Sequence, residues 1–291
     1  MSEASVGWIG LGAMGWPMAG HLHRAGRLKA VWNRSMGKTV AFADQHTETV
    51  GATMPATLAE RCEIIMLCVS ADRDLFEVVE AMLPALRPGQ ILVDHSTVSP
   101  ATARELAARL AEHEVGFVDA PVTGGVEGAI KGQLAIMAGG DWDHFKTIRP
   151  LLDAYTRVVH HLGHPGSGQA AKAVNQLMVS GIAEAVCEAL ALMDRLDLPR
   201  EHMLELLSGG AAASWFLEKR GRTMLADEFE VGFAPALLLK DLKICRSLCE
   251  DVGFDSAVVR QAIEDYSTLI DQGETGKDIS ALIRLKRRQG S

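Results

Sequence analysis

The chain has 291 residues, of which 48% are hydrophobic and 23% charged, a composition typical of a globular protein with room for two cores. Its net charge of −8 provides no electrostatic footprint for nucleic acid or for an anionic membrane. No run of about 18 uninterrupted apolar residues marks a transmembrane span, and a predicted strand close to the N-terminus leaves no room for a signal peptide. The five scattered cysteines favour reduced thiols, so we expect a cytoplasmic protein.

A glycine-rich turn follows the first predicted strand, at residues 5–11, and precedes an amphipathic helix that ends at Arg24. The sequence of the turn is Gly10-Leu11-Gly12-Ala13-Met14-Gly15, and a second strand is predicted at 28–32. In this context the pattern predicts a dinucleotide site, because Gly10 permits the tight turn, Gly12 lets a pyrophosphate approach and Gly15 lets helix and strand pack closely. The amides at the helix start would hold the phosphates, so every residue of the turn is a predicted cofactor contact.

The end of the second strand indicates which dinucleotide is bound. Sites selective for NAD usually carry Asp or Glu there, which accepts from the ribose 2′-hydroxyl. This chain has Asn33-Arg34-Ser35 instead. Asn33 does not repel a 2′-phosphate, Arg34 can pair with it or stack on adenine, and Ser35 adds a donor. These residues favour NADPH/NADP+; the alternative is that Arg34 is merely a surface residue and that NADH/NAD+ is also accepted.

Strands and helices alternate through the first 164 residues. Further strands are predicted at 64–69, 91–94, 117–120 and 134–138, and helices at 72–83 and 102–113. This alternation predicts a Rossmann-type, doubly wound parallel sheet with ligands at the carboxyl ends of its strands. Two such ends, Cys68-Val69-Ser70 and His95-Ser96-Thr97, are expected beside the nicotinamide half of the cofactor.

A third strand end is rich in glycine, with the sequence Pro121-Val122-Thr123-Gly124-Gly125. Two glycines after a threonine favour a cradle of backbone amides that binds a small anion such as a carboxylate. A simple loop would explain the same residues if they are taken in isolation.

One long segment, residues 166–196, predicts a helix that is apolar almost all round and therefore buried or sandwiched between two bodies of protein. Lys172 is the one Lys or Arg between Arg157 and Arg195, and Asn175 and Gln176 share its face. Lys172 is either a structural lysine or one whose pKa is lowered by burial so that it exchanges protons near neutral pH. We place the domain boundary here, with a Rossmann domain at 1–164 and an all-α domain for substrate binding and oligomerisation at 165–291.

Only helices are predicted in the second domain, at 199–207, 214–225, 234–252 and 256–272. Trp215 and Phe216 either line a substrate pocket or belong to the core, and Lys240 follows an apolar run. We predict no metal site, because no Asp, Glu or Cys completes the histidine cluster at 160–164. The basic run at 286–288 is interpreted as a solvated tail, and the long apolar helix suits the interface of a homodimer or homotetramer.

Four ordered motifs extend over nearly the whole chain. They are Gly7-Trp8-Ile9-Gly10-Leu11-Gly12-Ala13-Met14-Gly15 with Pro17-Met18; Asp119-Ala120-Pro121-Val122-Thr123-Gly124-Gly125 with Gly128-Ala129 and Gly132; the segment 168–175 with Lys172 and Asn175; and Lys240-Asp241-Leu242. Through these motifs the chain resembles the β-hydroxyacid dehydrogenases, which include 3-hydroxyisobutyrate dehydrogenase, tartronate semialdehyde reductase and the glyoxylate/succinic semialdehyde reductases.

The resemblance implies a role for each matched residue. Lys172 matches the catalytic lysine, and Asn175 matches the amide that helps to place it and the substrate. Thr123-Gly124-Gly125 match the carboxylate-binding segment, in which serine is commoner than threonine. Thr97 matches a cofactor contact, and Lys240 a lysine beside both cofactor and substrate. The segment Asn33-Arg34-Ser35 looks like that of the NADPH-using reductase branch.

The expected function is hydride transfer between NADP(H) and a small carboxylate-bearing aldehyde or β-hydroxyacid, with Lys172 as general acid and base. One alternative is an NAD-dependent 3-hydroxyisobutyrate or serine-type dehydrogenase. The other is a dinucleotide-binding regulatory module without turnover. Neither nucleic acid nor a membrane is expected as a partner.

Overall fold

The computed structural model describes residues 4–230 and 232–288, and the chain divides into two compact units, Met1–Lys172 and Ala173–Ser291. The division falls inside a long helix, slightly beyond the boundary predicted at residue 164. Each unit has its own hydrophobic core.

The first unit is built on one sheet. Its strands are β1 (Val6–Ile9), β2 (Leu28–Trp32), β3 (Val50–Gly51), β4 (Ile64–Leu67), β5 (Ile91–Asp94), β6 (Gly116–Asp119), β7 (Val122–Thr123), β8 (Leu134–Gly140) and β9 (Thr156–His161). The order is β3-β2-β1-β4-β5-β6-β8-β7, with β9 paired to β8. Because the order reverses between β1 and β4, ligands are expected in the crevice at that point of the sheet.

Two layers of apolar side chains cover the two faces of this sheet. Successive residues of β4 alternate between them: Ile64 and Met66 belong to one cluster, and Ile65 and Leu67 to the other. Strands buried on both faces read as continuous apolar runs, and these runs made β2, β4 and β5 recognisable in the sequence. The prediction of a Rossmann-type sheet is confirmed.

The strand order holds one exception to the parallel arrangement. The strands from β3 to β6 pair in parallel, but β8 is antiparallel to both β6 and β7, and β9 is parallel to β8. The prediction of 134–138 as one more parallel strand is therefore wrong in orientation. The connection from β6 to β8 carries a helix of one to two turns at Gly125–Lys131, not the crossover of a dozen or more residues that a parallel neighbour needs.

Helices lie between most strands of the first unit. They are α1 (Gly15–Arg24), α2 (Met36–Gln45), α3 (Pro55–Ala59), α4 (Asp72–Met82), α5 (Pro100–Ala111), α6 (Gly125–Lys131) and α7 (Trp142–Leu152). Of these, α2, α3, α6 and α7 were absent from the sequence prediction. The missed α7 is capped by Asp141, whose carboxylate accepts from the N–H groups of Asp143 and His144.

The long helix α8 (Ser167–Arg195) crosses the division between the units. By length and composition alone it could also span a bilayer, which is weak evidence for a membrane. Lys172, Gln176, Ser180 and Glu184 are all buried polar residues at a spacing of four along it. Such a polar stripe is typical of a helix in the interior of a folded protein.

The second unit is helical throughout its described residues. It contains α9 (Arg200–Ser208), α10 (Trp215–Leu225), α11 (Pro235–Asp251), α12 (Ala257–Asp271) and α13 (Leu282–Arg288), as the sequence predicted apart from α13. Phe216 packs in the core, whereas Trp215 is 51% exposed with the Arg220 guanidinium 5.6 Å from its ring.

The C-terminal basic run is not a solvated tail. The amine of Lys286 is buried, 2.6 Å from carboxylate oxygens of both Glu184 and Asp265 and 3.0 Å from one of Glu188. Arg287 bonds Asp194 at 2.7 Å. These partners come from α8 and α12, so the local sequence gave no sign of them.

Candidate active site

The glycine turn joins β1 to α1 at the carboxyl edge of the sheet. Gly10 has φ +97°, and a Cβ there would lie 2.1 Å from the carbonyl oxygen of Cys68. A Cβ at Gly15 would lie 1.9 Å from the carbonyl oxygen of Gly10, so no larger residue fits. Trp8 donates from its indole nitrogen to that same Gly10 carbonyl at 2.9 Å. These close contacts leave room only for glycine at positions 10 and 15, and the Trp8 bond holds the turn in place.

The open side of the turn suits a pyrophosphate. A Cβ at Gly12 would meet nothing within 4 Å. Among the hydrogen bonds of the described residues, none uses the N–H groups of Gly12, Ala13 or Met14, and these donors lie at the start of α1, where the helix dipole favours an anion. The residues present therefore fit a dinucleotide.

Asn33 ties the end of β2 to this turn. Its side-chain oxygen accepts from the N–H of Leu11 at 2.8 Å, and its amide nitrogen donates to the carbonyl of Ser35 at 3.2 Å. The Leu11 amide is therefore directed to Asn33, and a contact of Leu11 with the cofactor stays a prediction. Arg34 and Ser35 are exposed beside the turn.

Arg34 has a partner that the sequence did not indicate. Its guanidinium lies 2.8 Å from the carboxylate of Asp74 on α4. The pair is solvent-exposed on the arginine side, where the side chain is 77% accessible. Arg34 is thus near the predicted ribose end of the cofactor, but it also has an acidic neighbour.

The ends of β4 and β5 are linked to each other. The N–H of Val69 donates to the Ser96 hydroxyl at 2.8 Å, and the Ser96 N–H donates to Asp94 at 3.0 Å. Burial, with a smaller effect from the Asp94 charge, raises the pKa of Cys68 to about 12, which favours the protonated thiol at neutral pH. Thr97 is half-buried in the same loop.

A buried cluster of three rings, Trp8, His95 and Tyr155, packs beside these strand ends. The ring of Trp8 stacks on His95 with centroids 5.6 Å apart, and the Tyr155 hydroxyl lies 2.9 Å from Nε2 of His95. Burial lowers the pKa of His95 to about 4, so the ring is neutral; Nδ1 donates to the Ala120 carbonyl and Nε2 accepts from Tyr155. His95 therefore acts as a structural link between β5 and β6.

The predicted carboxylate cradle is a turn at the end of β7. Gly124 and Gly125 have φ of +126° and +64°, values that L side chains rarely adopt. Both glycines are exposed, and Thr123 is half-buried at the last position of the strand. The turn is compatible with an anion cradle, and that role remains a prediction.

Lys172 lies on α8 soon after the anchored start of that helix. One carboxylate oxygen of Asp119 accepts from the N–H of Gly166 at 2.8 Å and the other from Gln169 at 2.9 Å. This carboxylate satisfies amides that have no partner inside the helix and complements the helix dipole. Asp119 ends β6, so α8 begins at the same edge of the sheet as the glycine turn. Lys172 is 7% exposed.

Gln169 is a second link at this helix start. Its side chain is buried, donates to the Ser96 carbonyl at 2.8 Å and accepts from the Val98 N–H at 3.1 Å. It thereby holds the loop of Thr97 against the helix of Lys172. Asp119 and Gln169 lie within the sequence motifs, but their sequence positions indicate no role for them. Only the fold brings the end of β6 and the start of α8 together.

A series of side-chain contacts connects Asn175 with Lys240, the two predicted site residues of the second unit. Asn175 donates to Gln176 at 2.8 Å, and Gln176 donates to Asp241 at 2.7 Å. The other Asp241 oxygen lies 2.9 Å from the amine of Lys240. Asp241 is 4% exposed and links α8 to α11 through these bonds. Gln176 and Asp241 therefore orient residues that the sequence assigned to the substrate.

This glycine turn on a Rossmann sheet, with a buried lysine on a helix anchored to the same edge, defines an NAD(P)-dependent oxidoreductase. The family model described as the NAD binding domain of 6-phosphogluconate dehydrogenase matches residues 5–163. The model described as NAD-binding of NADP-dependent 3-hydroxyisobutyrate dehydrogenase matches residues 166–286. The chain belongs to the β-hydroxyacid dehydrogenase family, as its motifs predicted, and it is an enzyme of the 3-hydroxyisobutyrate dehydrogenase type that uses NAD(P).

Individual relatives extend along the whole chain. An uncharacterised oxidoreductase of Shewanella frigidimarina is 40% identical over 96% of this chain and 97% of its own length. The 2-hydroxy-3-oxopropionate reductase of Escherichia coli is 32% identical, covering 96% of each chain. The solved structure of Psf3 in complex with NADP+ and 2-OPP has a TM-score of 0.88 and 25% identity, covering 96% of this chain and 99% of that one.

Proposed function

We propose that the protein is a reductase of the glyoxylate/succinic semialdehyde type, which transfers hydride between NADP(H) and a short carboxylate-bearing aldehyde or β-hydroxyacid. The observation that supports this proposal most is the anchoring of the start of α8 by Asp119 at the end of β6, because buried Lys172 follows the anchored Gln169 within one turn of the helix. The similarity to the 2-hydroxy-3-oxopropionate reductase supports a substrate of this class.

The bound cofactor and Lys172 share the reaction in this proposal. When bound, the cofactor supplies the hydride from its nicotinamide C4 to the carbonyl carbon of the substrate. Lys172 gives a proton to the developing alkoxide, so that the carbonyl becomes an alcohol, and its positive charge stabilises the oxygen as charge builds up. In oxidation the neutral amine takes the hydroxyl proton.

The substrate has to be held in one orientation for this transfer. Thr123, Gly124 and Gly125 bind its carboxylate in the proposal, which converts the reaction into an oriented event. Asn175 and Lys240 complete the substrate contacts, and the bonds through Gln176 and Asp241 fix their side chains. Lys240 also contacts the cofactor in this proposal.

The first test is Lys172→Ala. Turnover should fall by about 10²- to 10⁴-fold, the usual contribution of a general acid, while NADPH binding is retained. Turnover near that of the wild type would refute the assignment. The control is Lys243→Ala, because Lys243 is an exposed lysine on α11.

The substrate and the cofactor are tested together. Glyoxylate, succinic semialdehyde, methylmalonate semialdehyde and tartronate semialdehyde are each assayed with NADPH and with NADH. One of the first two with NADPH should give the highest kcat/KM. A preference for NADH and for methylmalonate semialdehyde, the aldehyde formed when 3-hydroxyisobutyrate is oxidised, would favour the alternative, an NAD-dependent 3-hydroxyisobutyrate or serine-type dehydrogenase. The pairing of Arg34 with Asp74 supports that alternative.

We further propose a homodimer or homotetramer. Val174 and Met178, one turn apart on α8, are 64% and 61% exposed, and exposed apolar side chains at helical spacing suit an interface between copies. Light scattering at micromolar concentration measures the mass directly, and a monomer would contradict the proposal.

A further inference from the structure

Asp74 is an acidic residue beside the predicted 2′-phosphate site. It lies in the first turn of α4, and its carboxylate is 2.8 Å from the guanidinium of Arg34. The Asp74 side chain is 21% exposed, so the protein partly shields its charge from solvent. No sequence pattern links residues 34 and 74.

The position of Arg34 follows from its neighbour. Asn33 accepts from the N–H of Leu11, inside the glycine turn, at 2.8 Å. The guanidinium of the next residue therefore belongs to the surface next to the turn, where the adenosine ribose of a dinucleotide lies in this fold. A 2′-phosphate bound there and the Asp74 carboxylate would compete for the same cation.

We propose that Asp74 is a specificity-determining residue that weakens the binding of NADP(H) relative to NAD(H). The inference rests on the proposed use of NADP(H) and adds a residue that tunes it. Asp74 acts in two ways: it holds Arg34, and its own charge repels a phosphate bound to the same guanidinium. At about 5 Å, two unit charges in water interact by a little under 1 kcal/mol, which is close to fourfold in affinity.

The ion pair itself contributes little to folding. Solvent screens exposed pairs of this kind, so they add little to the stability of a protein. Replacing Asp74 by Asn keeps the shape of the side chain and removes its charge, so the fold should remain intact. The change therefore isolates the effect of the carboxylate on cofactor binding.

The control variant lies on the same helix. Glu77 bonds Arg73 at 2.7 Å and is also exposed. The change Glu77→Gln removes an equal charge one turn further along α4, without touching Arg34. A general effect of net charge on a polyanionic ligand would appear in both variants, whereas a local effect appears only in Asp74→Asn.

The experiment is a fluorescence titration of the full-length wild type and both variants with NADPH and with NADH, at low and high salt. Asp74→Asn should lower the Kd for NADPH by about three- to tenfold and leave that for NADH within about twofold. The gain should shrink at about 0.5 M salt, where charges are screened within a few ångströms. Glu77→Gln should change neither Kd.

Two results would overturn the inference. One is an unchanged Kd for NADPH in Asp74→Asn. The other is a higher Kd for NADH in Asp74→Asn, which would mean that Asp74 contacts the ribose instead of competing with a 2′-phosphate for Arg34. Arg34→Ala is titrated in parallel to separate the two proposals. If it weakens NADPH much more than NADH while Asp74→Asn has no effect, only the role of Asp74 fails; if it weakens both cofactors equally, the proposed 2′-phosphate site is itself wrong.

Discussion

Two buried lysines, Lys172 in the first unit and Lys286 in the second, have different surroundings. Lys286 is surrounded by the carboxylates of Glu184, Asp265 and Glu188. Burial by itself would lower the pKa of Lys286, but the hydrogen bonds to these carboxylates outweigh it and raise the pKa above its usual value. Such an amine keeps its proton and serves the fold.

The neighbours of Lys172 on its own helix face are of another kind. The residues at i+3 and i+4 are Asn175 and Gln176, whose amides orient without adding charge. The helix start before it is held by Asp119 and Gln169. Asn175 and Gln176 bring no carboxylate to that face, and in the proposed mechanism Lys172 exchanges a proton with the substrate. We therefore expect the same substitution to affect folding at one lysine and turnover at the other.

The largest effect on stability is expected for Lys286→Met. The variant leaves Glu184 and Asp265 buried without their cation, which should cost about 3–5 kcal/mol of unfolding free energy. Urea denaturation measures this loss, and Lys243→Met, at an exposed lysine, should stay within about 0.5 kcal/mol of the wild type.

The pH dependence sharpens that prediction. Burial raises the pKa of Glu184 to about 7, although Lys286 opposes the shift. Lowering the pH from 8 to 6 lets Glu184 take up a proton, so the loss caused by Lys286→Met should shrink. An equal loss at both pH values, or a variant as stable as the wild type, would show that the cluster does not balance these charges.

The sequence revealed those features that depend on local patterns. The glycine turn, the strand β2 and the helices α10 to α12 follow from residue type and spacing. The antiparallel strand β8 did not, because strand direction is set by pairing in the sheet. Lys286 was misread as solvated for a related reason: its partners lie on α8 and α12, far away in the sequence.

The site shows the same limit. Lys172 and the glycine turn were identified from their motifs, whereas Asp74, Gln169 and Asp241 act through contacts with residues distant in the sequence. A carboxylate that pairs across the fold leaves no periodic signal, so only the structure assigns it a partner.

An intermediate effect is expected for Asp119→Asn, which retains one acceptor oxygen for the start of α8 and loses the other. Both this variant and Asp141→Asn, at the cap of α7, should lose about 1–2 kcal/mol of stability. Only Asp119→Asn should also lower kcat, by about 10- to 100-fold, because misplacing a catalytic group by an ångström has effects of this size.

The KM for substrate and the Kd for NADPH should change little in Asp119→Asn, because the glycine turn and the cradle are untouched. Asp119→Glu, which restores both acceptor oxygens, should recover part of the lost kcat. Equal kcat values for the Asp119→Asn and Asp141→Asn variants would mean that Asp119 serves only the fold.

A change that appears only in the pH dependence of stability concerns Asp94, a fully buried carboxylate at the end of β5. Desolvation raises its pKa from 3.8 to about 7, although bonds from Ser96 oppose the shift. The folded state therefore binds a proton that the unfolded state releases, and this contribution to stability is lost as pH rises from about 4 to 7. Between pH 5.5 and 8 the loss amounts to about 2 kcal/mol.

Asp94→Asn removes this titration. Its unfolding free energy should fall less than that of the wild type between pH 5.5 and pH 8. Relative to the wild type, the variant should therefore be more stable at pH 8 than it is at pH 5.5. Chemical denaturation at the two pH values measures both quantities. Parallel pH dependences would mean that Asp94 does not bind the extra proton.

The most direct test of proton transfer by Lys172 is rescue of Lys172→Ala with added amines. Methylammonium and ethylammonium should raise its turnover in proportion to concentration, whereas an uncharged compound of the same size, such as ethanol, should not. A variant that binds NADPH normally but responds to no amine, or one that turns over at the wild-type rate without any, would contradict proton transfer by this side chain.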